Sequence, residues 1–141
     1  MREARLPRVC AATSVFHRKD SRIDKGCFSR SVANATVIFH GLERFADFER
    51  GNFDGTMYVD TIFLKPKQSN NENMYFHELV HVIQWRLLGP DRFLLLYANG
   101  LECFGYRQSP LEAMAYDAES AFASSAAIFN AEKMVAEKLG L

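Results

Sequence analysis

No stretch of this chain approaches the ~20 consecutive apolar residues that a membrane-spanning helix needs. The run FLLLYA, residues 93–98, is far too short. Neither sign of charge is in excess: 17 Lys and Arg stand against 17 Asp and Glu, so nothing global points to nucleic acid. Cysteine is scarce and unpaired in spacing, with only Cys10, Cys27 and Cys103. An odd count without a close pair reads as reduced, isolated thiols rather than a disulfide framework or a thiolate metal site. The opening MREARLPRVCAATSVF is basic, but Arg8 and polar residues break its apolar run, so it makes a poor secretory signal. Together these absences lead to the expectation of a cytoplasmic protein. Internal repeats and low-complexity segments are missing as well.

What remains suits a single soluble domain. A chain of 141 residues, 48% hydrophobic and 24% charged, can bury roughly 70% of the surface its unfolded form exposes. The charge is uneven, however. Residues 1–30 hold eight basic residues against Glu3, Asp20 and Asp24, a net of +5, which leaves −5 for the remainder. The expected organisation is a basic, partly irregular arm over residues 1–30 and a folded domain over 31–141. Such an arm is commonly a solvated terminus; an acidic partner or anionic lipid is its other use.

The local patterns predict an α+β domain, strands first and helices after. ANATVIFH (Ala33–His40) and TMYVDTIFL (Thr56–Leu64) read as strands, the second ended by Pro66. Between them LERFADFER (Leu42–Arg50) reads as a short helix and GNFDG (Gly51–Gly55) as a turn. A capping box, Ser69 to Glu72, with Asn70 or Asn71 as alternative caps, opens a helix that runs to about Leu88 and stops at Gly89-Pro90. Asp91 is the expected cap of a second helix ended by Asn99-Gly100, followed by the loop LECFGYRQ. Ser109-Pro110-Leu111-Glu112 is a second capping-box pattern with Pro at the first helical position. It opens an alanine-rich helix reaching about Leu139, with a break near Ser124-Ser125.

The first of these helices carries NMYFHELVHVIQW (Asn73–Trp85), in which His77, Glu78 and His81 interrupt an apolar segment. A polar side chain buried there without a partner costs roughly 1–3 kcal/mol. Residues i and i+4 lie one turn apart on one helix face, about 5–6 Å between Cβ atoms. Two imidazoles so placed can converge on one Zn²⁺, and Glu78, one position along, can take a proton from water beside it. With four histidines in the chain, a chance His-Glu-x-x-His has odds of roughly one in a hundred. Histidines that merely hydrogen-bond each other are the plainer alternative.

A catalytic zinc usually has three protein ligands. His17 and His40 lie upstream, and Glu102, Glu112 and Glu119 downstream. Glu112 is favoured because it leaves the first turn of its helix beside the small residues Ala113 and Ala115, which permit a close helix crossing. A purely structural capping-box role competes for the same residue. Glu119 is the reserve ligand, and His40 a weaker one.

The pair HELVHVIQW and PLEAMAYDAE resembles the gluzincins, zincin metallopeptidases with a glutamate as third ligand, and in particular their minimal single-domain members. The similar span is roughly Gly55 to Phe122, about half of the chain. The resemblance implies zinc on His77, His81 and Glu112, with Glu78 as general base and a peptide or protein as substrate. It also implies a zincin-like domain in which TMYVDTIFL is the edge strand beside the cleft, where an extended peptide adds as one more strand. Larger gluzincins often carry an aspartate four residues after the glutamate ligand; here Tyr116 stands there and Asp117 follows. Asp117 and Glu119 are therefore the candidates for orienting a histidine, and Tyr116 and Tyr106 for stabilising an oxyanion. Two rival readings stand beside the peptidase: a zinc-stabilised, non-catalytic binding module or component of a larger assembly, and a metal-free interaction domain working through the basic arm and the FLLLYA helix.

Overall fold

The computed structural model of the protein describes residues 36–38, 54–58, 61–68, 70–124 and 129–141. The arm over residues 1–30, the helix expected at Leu42–Arg50, His17, His40 and Ser69 lie outside the described residues, as does most of the strand expected at Ala33–His40. Among the described residues, three short strands, β1 (Thr36–Ile38), β2 (Gly55–Tyr58) and β3 (Thr61–Leu64), precede four α-helices: α1 (Glu72–Leu88), α2 (Pro90–Phe104), α3 (Pro110–Ser124) and α4 (Ala131–Leu139). The result is an α-rich domain with a small sheet. No helix among the described residues is long and apolar enough to cross a membrane.

The sheet order is β1-β3-β2, with β1 parallel and β2 antiparallel to β3. The single strand expected over Thr56–Leu64 is thus two strands folded on each other, Gly55 opposite Leu64 and Tyr58 opposite Thr61. Both halves are rich in apolar and β-branched residues, so composition conceals the reversal between them. The edge-strand expectation needs the matching correction. Its second half, β3, is the central strand, and its first half, β2, is one of the two outer strands among those described, β1 being the other. On β3, Ile62 and Leu64 are buried and Thr61 and Phe63 half-buried, the alternation of a sheet with one face on the core.

That core is organised by α1. Asn71 caps it, its side-chain oxygen accepting from the backbone N–H of Met74 at 3.1 Å. One of the alternative caps therefore takes the place expected for Ser69. Twelve of the 17 residues of α1 are buried, so it has no solvent face over most of its length. It packs on β2 and β3, and against α2, α3 and α4. Phe76 stacks on Phe122 of α3 with ring centroids 4.2 Å apart and meets Phe129, just before α4, edge-on at 5.8 Å. A second apolar cluster, Trp85, Leu88, Phe93 and Leu111, closes the far end of α1 against α2 and α3.

Gly89 ends α1 as expected: at φ 77° it adopts a conformation that side chains disfavour, and its N–H reaches back to the Trp85 carbonyl at 2.8 Å. Helix α2 then starts at Pro90 with Gly89 as its cap, so Asp91 lies inside the first turn rather than capping it. Asn99-Gly100 does not stop α2, which runs through the first half of the supposed loop LECFGYRQ to Phe104. The reason is tertiary. Gly100 is buried where a Cβ would come within 3.0 Å of both Pro110 Cδ and Ser109 Cβ, so this glycine serves close approach to the start of α3. The break near Ser124 is present: α3 ends there and α4 begins at Ala131.

Candidate metal centre

Helices α1 and α3 cross with their polar exceptions facing one another. His77 and His81 project from one face of α1, and Glu112 from the first turn of α3. All three are buried, Glu112 to 1% exposure, in an otherwise apolar interior. The two Nε2 atoms lie 3.2 Å apart. Glu112 Oε2 is 3.3 Å from His77 Nε2, and Glu112 Oε1 is 3.3 Å from His81 Nε2. Four-coordinate metal bonds of about 2.0–2.1 Å hold ligand atoms about 3.3–3.4 Å apart, so the two imidazoles, each 3.3 Å from one oxygen of the carboxylate, are spaced as ligands of a single ion would be.

The hydrogens point to the same conclusion. Gln84 Nε2 donates to the Leu111 carbonyl at 3.0 Å, so its Oε1 must be the atom 2.8 Å from His81 Nδ1, and that ring nitrogen donates. His77 Nδ1 lies 3.1 Å from a carboxylate oxygen of Glu119 and donates likewise. With hydrogen on both Nδ1 atoms, it is the two Nε2 positions that face each other and the Glu112 carboxylate. Three electron-rich groups at such distances repel unless a cation or a proton lies among them. Glu112 Oε2 is buried with only the long 3.3 Å approach of His77 Nε2 to offset its charge, a weak satisfaction for a carboxylate in an apolar interior. His77, His81 and Glu112 can thus hold a metal ion; they form a group whose ligand atoms all lie within 4.8 Å of one another.

Each of the three candidate ligands has its own support. Glu119 holds His77, Gln84 holds His81, and Tyr97 of α2 donates its hydroxyl to Glu112 Oε1 at 2.6 Å. Burial by itself pushes the His77 imidazole down, but hydrogen bonds to Glu112 and Glu119 and the nearby Glu78 charge overcome this and raise it to about 9. Burial likewise favours neutral Glu112, yet its hydrogen bonds with His77, His81 and Tyr97 keep it ionised well below the usual carboxylate range. Burial raises the Tyr97 hydroxyl, helped by its bond to Glu112, and it stays a donor. The centre calls for positive charge.

Glu78 is 4% exposed, and its Oε2 has no hydrogen-bond partner. Its other oxygen lies so close to β2 that a Cβ on Gly55 would approach it to 2.9 Å. Burial raises its proton affinity, partly opposed by His81 and His77.

The remaining residues fall as follows. Glu119 is a hydrogen-bond partner of His77, outside the triangle. Tyr116 sets its ring edge-on to His77, centroids 4.6 Å apart, under the Arg107 guanidinium at 4.5 Å. Tyr106, 36% exposed, hydrogen-bonds Tyr116. Asp117 is turned away: its side chain is 73% exposed and pairs with Lys138 at 3.7 Å, so Glu119 alone of the two touches a histidine. Glu102 is exposed on α2. The capping box expected at Ser109 is not made. Ser109 Oγ is buried without a partner, and the Glu112 carboxylate faces the histidines instead. Gln84 and Tyr97 were not anticipated. The one available clue was Gln84 itself, a lone amide in the apolar run VIQW, three residues after His81.

Comparison with protein-family models, curated proteins and solved structures gives no match.

Proposed function

We propose that the protein is a zinc-dependent peptidase of the gluzincin type on a minimal zincin-like domain, with Glu78 as general base. The observation that carries this reading is the Glu78 carboxylate, buried with one unpartnered oxygen, one position from a ligand and against the outer strand. A site built only to hold a metal has no use for it. His77, His81 and Glu112 would hold the ion, and a set of two imidazoles and a carboxylate suits zinc. When bound, zinc supplies Lewis acidity: it polarises a carbonyl and brings the acidity of water near neutral pH.

The protein's own groups do the rest. Glu78 accepts a proton from the attacking water and delivers it to the departing amine, roles suited to a carboxylate whose proton affinity burial has raised. Strand β2 favours a peptide over other substrates. Among the described strands it pairs on one side only, so an extended peptide can add to it beside Gly55 and Glu78. Tyr116 and Tyr106 are the candidates for serving an oxyanion, since the Tyr97 hydroxyl is committed to Glu112.

A second reading has an observation in its favour. The whole centre is closed, with His77 and Glu78 at 3% and 4% exposure, as befits a zinc-stabilised binding module or a component of a larger assembly. The zinc-loaded chain and Glu78→Gln, each assayed on a mixed peptide library, separate the two. The peptidase reading expects about one zinc per chain in both and a cleavage rate lower by roughly 10²–10⁴ in the variant. Equal cleavage by both would remove Glu78 from its role; no cleavage by either favours the module.

A further inference from the structure

Gln84 is the only fully buried amide in α1, and both ends of it are committed. Its oxygen accepts from His81 Nδ1 at 2.8 Å. Its nitrogen donates to the carbonyl of Leu111 at 3.0 Å, with Met114 Sδ a further 3.4 Å contact. Leu111 immediately precedes Glu112. One side chain thus grips a ligand on α1 and the backbone that presents a ligand on α3.

We infer that Gln84 is a positioning residue of the metal centre, fixing the His81 tautomer and the register between His81 and Glu112 through a single amide. The inference rests on the metal reading of the triangle, and it concerns what aims the ligands. The two ends act differently. The oxygen requires a hydrogen on Nδ1, which leaves Nε2 of His81 as the free donor atom at the centre. The nitrogen ties that ring to the first turn of α3, where a small shift would carry the Glu112 carboxylate away from the 3.3 Å separation it keeps from each imidazole. An amide suits this task where a carboxylate would not, since a carboxylate cannot donate to the Leu111 carbonyl. It also adds no negative charge to a centre that already holds Glu78, Glu112 and Glu119. Gln84 is not among the groups that touch a substrate, so its effect must pass through His81 and Glu112.

The test uses the full chain with zinc alone as the probe, titrated against a competing chromophoric chelator. Gln84→Leu keeps the bulk and removes both hydrogen bonds; Gln84→Glu keeps an acceptor for His81 and loses the donor. Expected results are a 10- to 100-fold loss of zinc affinity in Gln84→Leu and a smaller loss in Gln84→Glu. Long-range proton–nitrogen NMR of the His81 ring reads the tautomer directly. It should show hydrogen on Nδ1 in the wild type and in Gln84→Glu, and no fixed tautomer in Gln84→Leu. A merely space-filling Gln84 would leave that signature unmoved. Unchanged zinc affinity and tautomer in Gln84→Leu overturn the inference and leave the metal centre standing. A wild-type chain that binds no zinc removes the centre and the inference together. Should Gln84→Leu not fold, Gln84→Glu decides: a His81 without hydrogen on Nδ1 in that variant refutes the role.

Discussion

Gly55 offers a test in which two opposing effects are of known size. Replacing glycine by alanine reduces the freedom of the unfolded chain and by itself stabilises by about 0.4–1 kcal/mol. Gly55 has no positive φ to penalise the change, so the answer depends on space. A Cβ there would meet Leu64 Cδ2 at 2.8 Å and Glu78 Oε1 at 2.9 Å, closer than side chains tolerate. Leu64 is fully buried on the paired strand, directly opposite Gly55, and cannot retreat. Overpacking of this kind costs about 1–3 kcal/mol, so the clash should win and Gly55→Ala should be destabilised by roughly 0.5–2 kcal/mol. For a domain of this size that is a fall in Tm of about 2–8 °C. Because Glu78 is one of the two atoms displaced, cleavage should fall while zinc content stays unchanged. Urea denaturation and elemental analysis measure the two halves. A variant more stable than the wild type would refute the packing of β2 against Glu78, and with it the placement of the general base beside the outer strand.

Two further perturbations address the centre and the core. With His77 raised to about 9, zinc must displace a proton at neutral pH, so apparent zinc affinity should rise about tenfold per pH unit from 7 up to about 9 and then level, as competition titrations would show. In the metal-free chain the sign is opposite. A pKa raised from 6.5 to about 9 contributes up to about 3 kcal/mol, fully present below pH 6.5 and lost as pH rises through 9, so thermal stability should decline over that interval. Phe122→Ala should cost about 3–5 kcal/mol by chemical denaturation, since it empties the stack on Phe76 that joins α1 to α3 and should loosen zinc as well.

What could be read from the sequence was what is local. His77 and His81 are four residues apart, and helical geometry alone puts them on one face. Gly89-Pro90 carries its stop within itself. Glu112 was within reach because it sits at a legible helix start, a return helix away. The features that escaped depend on which elements meet. Asn99-Gly100 has the chemistry of a helix end, but α2 continues because Gly100 is needed where α2 touches Ser109 and Pro110. Tyr97 lies in FLLLYA like any core aromatic, and only the approach of α2 to α3 brings its hydroxyl to Glu112. Asp117 and Glu119 are both acidic residues on α3, and the two steps of helical rotation between them, about 200°, send the first to Lys138 and the second to His77.

That last contrast explains why the capping box at Ser109 was a misleading rival for Glu112. A capping box satisfies one backbone N–H in exchange for one carboxylate, a gain of about 1 kcal/mol. The same carboxylate turned inward meets two imidazoles and the Tyr97 hydroxyl, and a charge-assisted hydrogen bond contributes about 1.5–3 kcal/mol. The inward position wins once α1 and α2 are in place, and only then. The start of α3 is consequently coupled to the centre. Ser109 keeps a buried hydroxyl without a partner, and Gln84 secures the Leu111 carbonyl one residue before the ligand. A cation at the centre, by drawing on Glu112, should therefore steady the first turn of α3 more than its last. Amide hydrogen exchange should slow at Ala115 and Tyr116 on adding zinc, with little change near Ser124. Uniform protection along α3 would mean that the helix responds as a rigid rod and that the coupling at its first turn is absent.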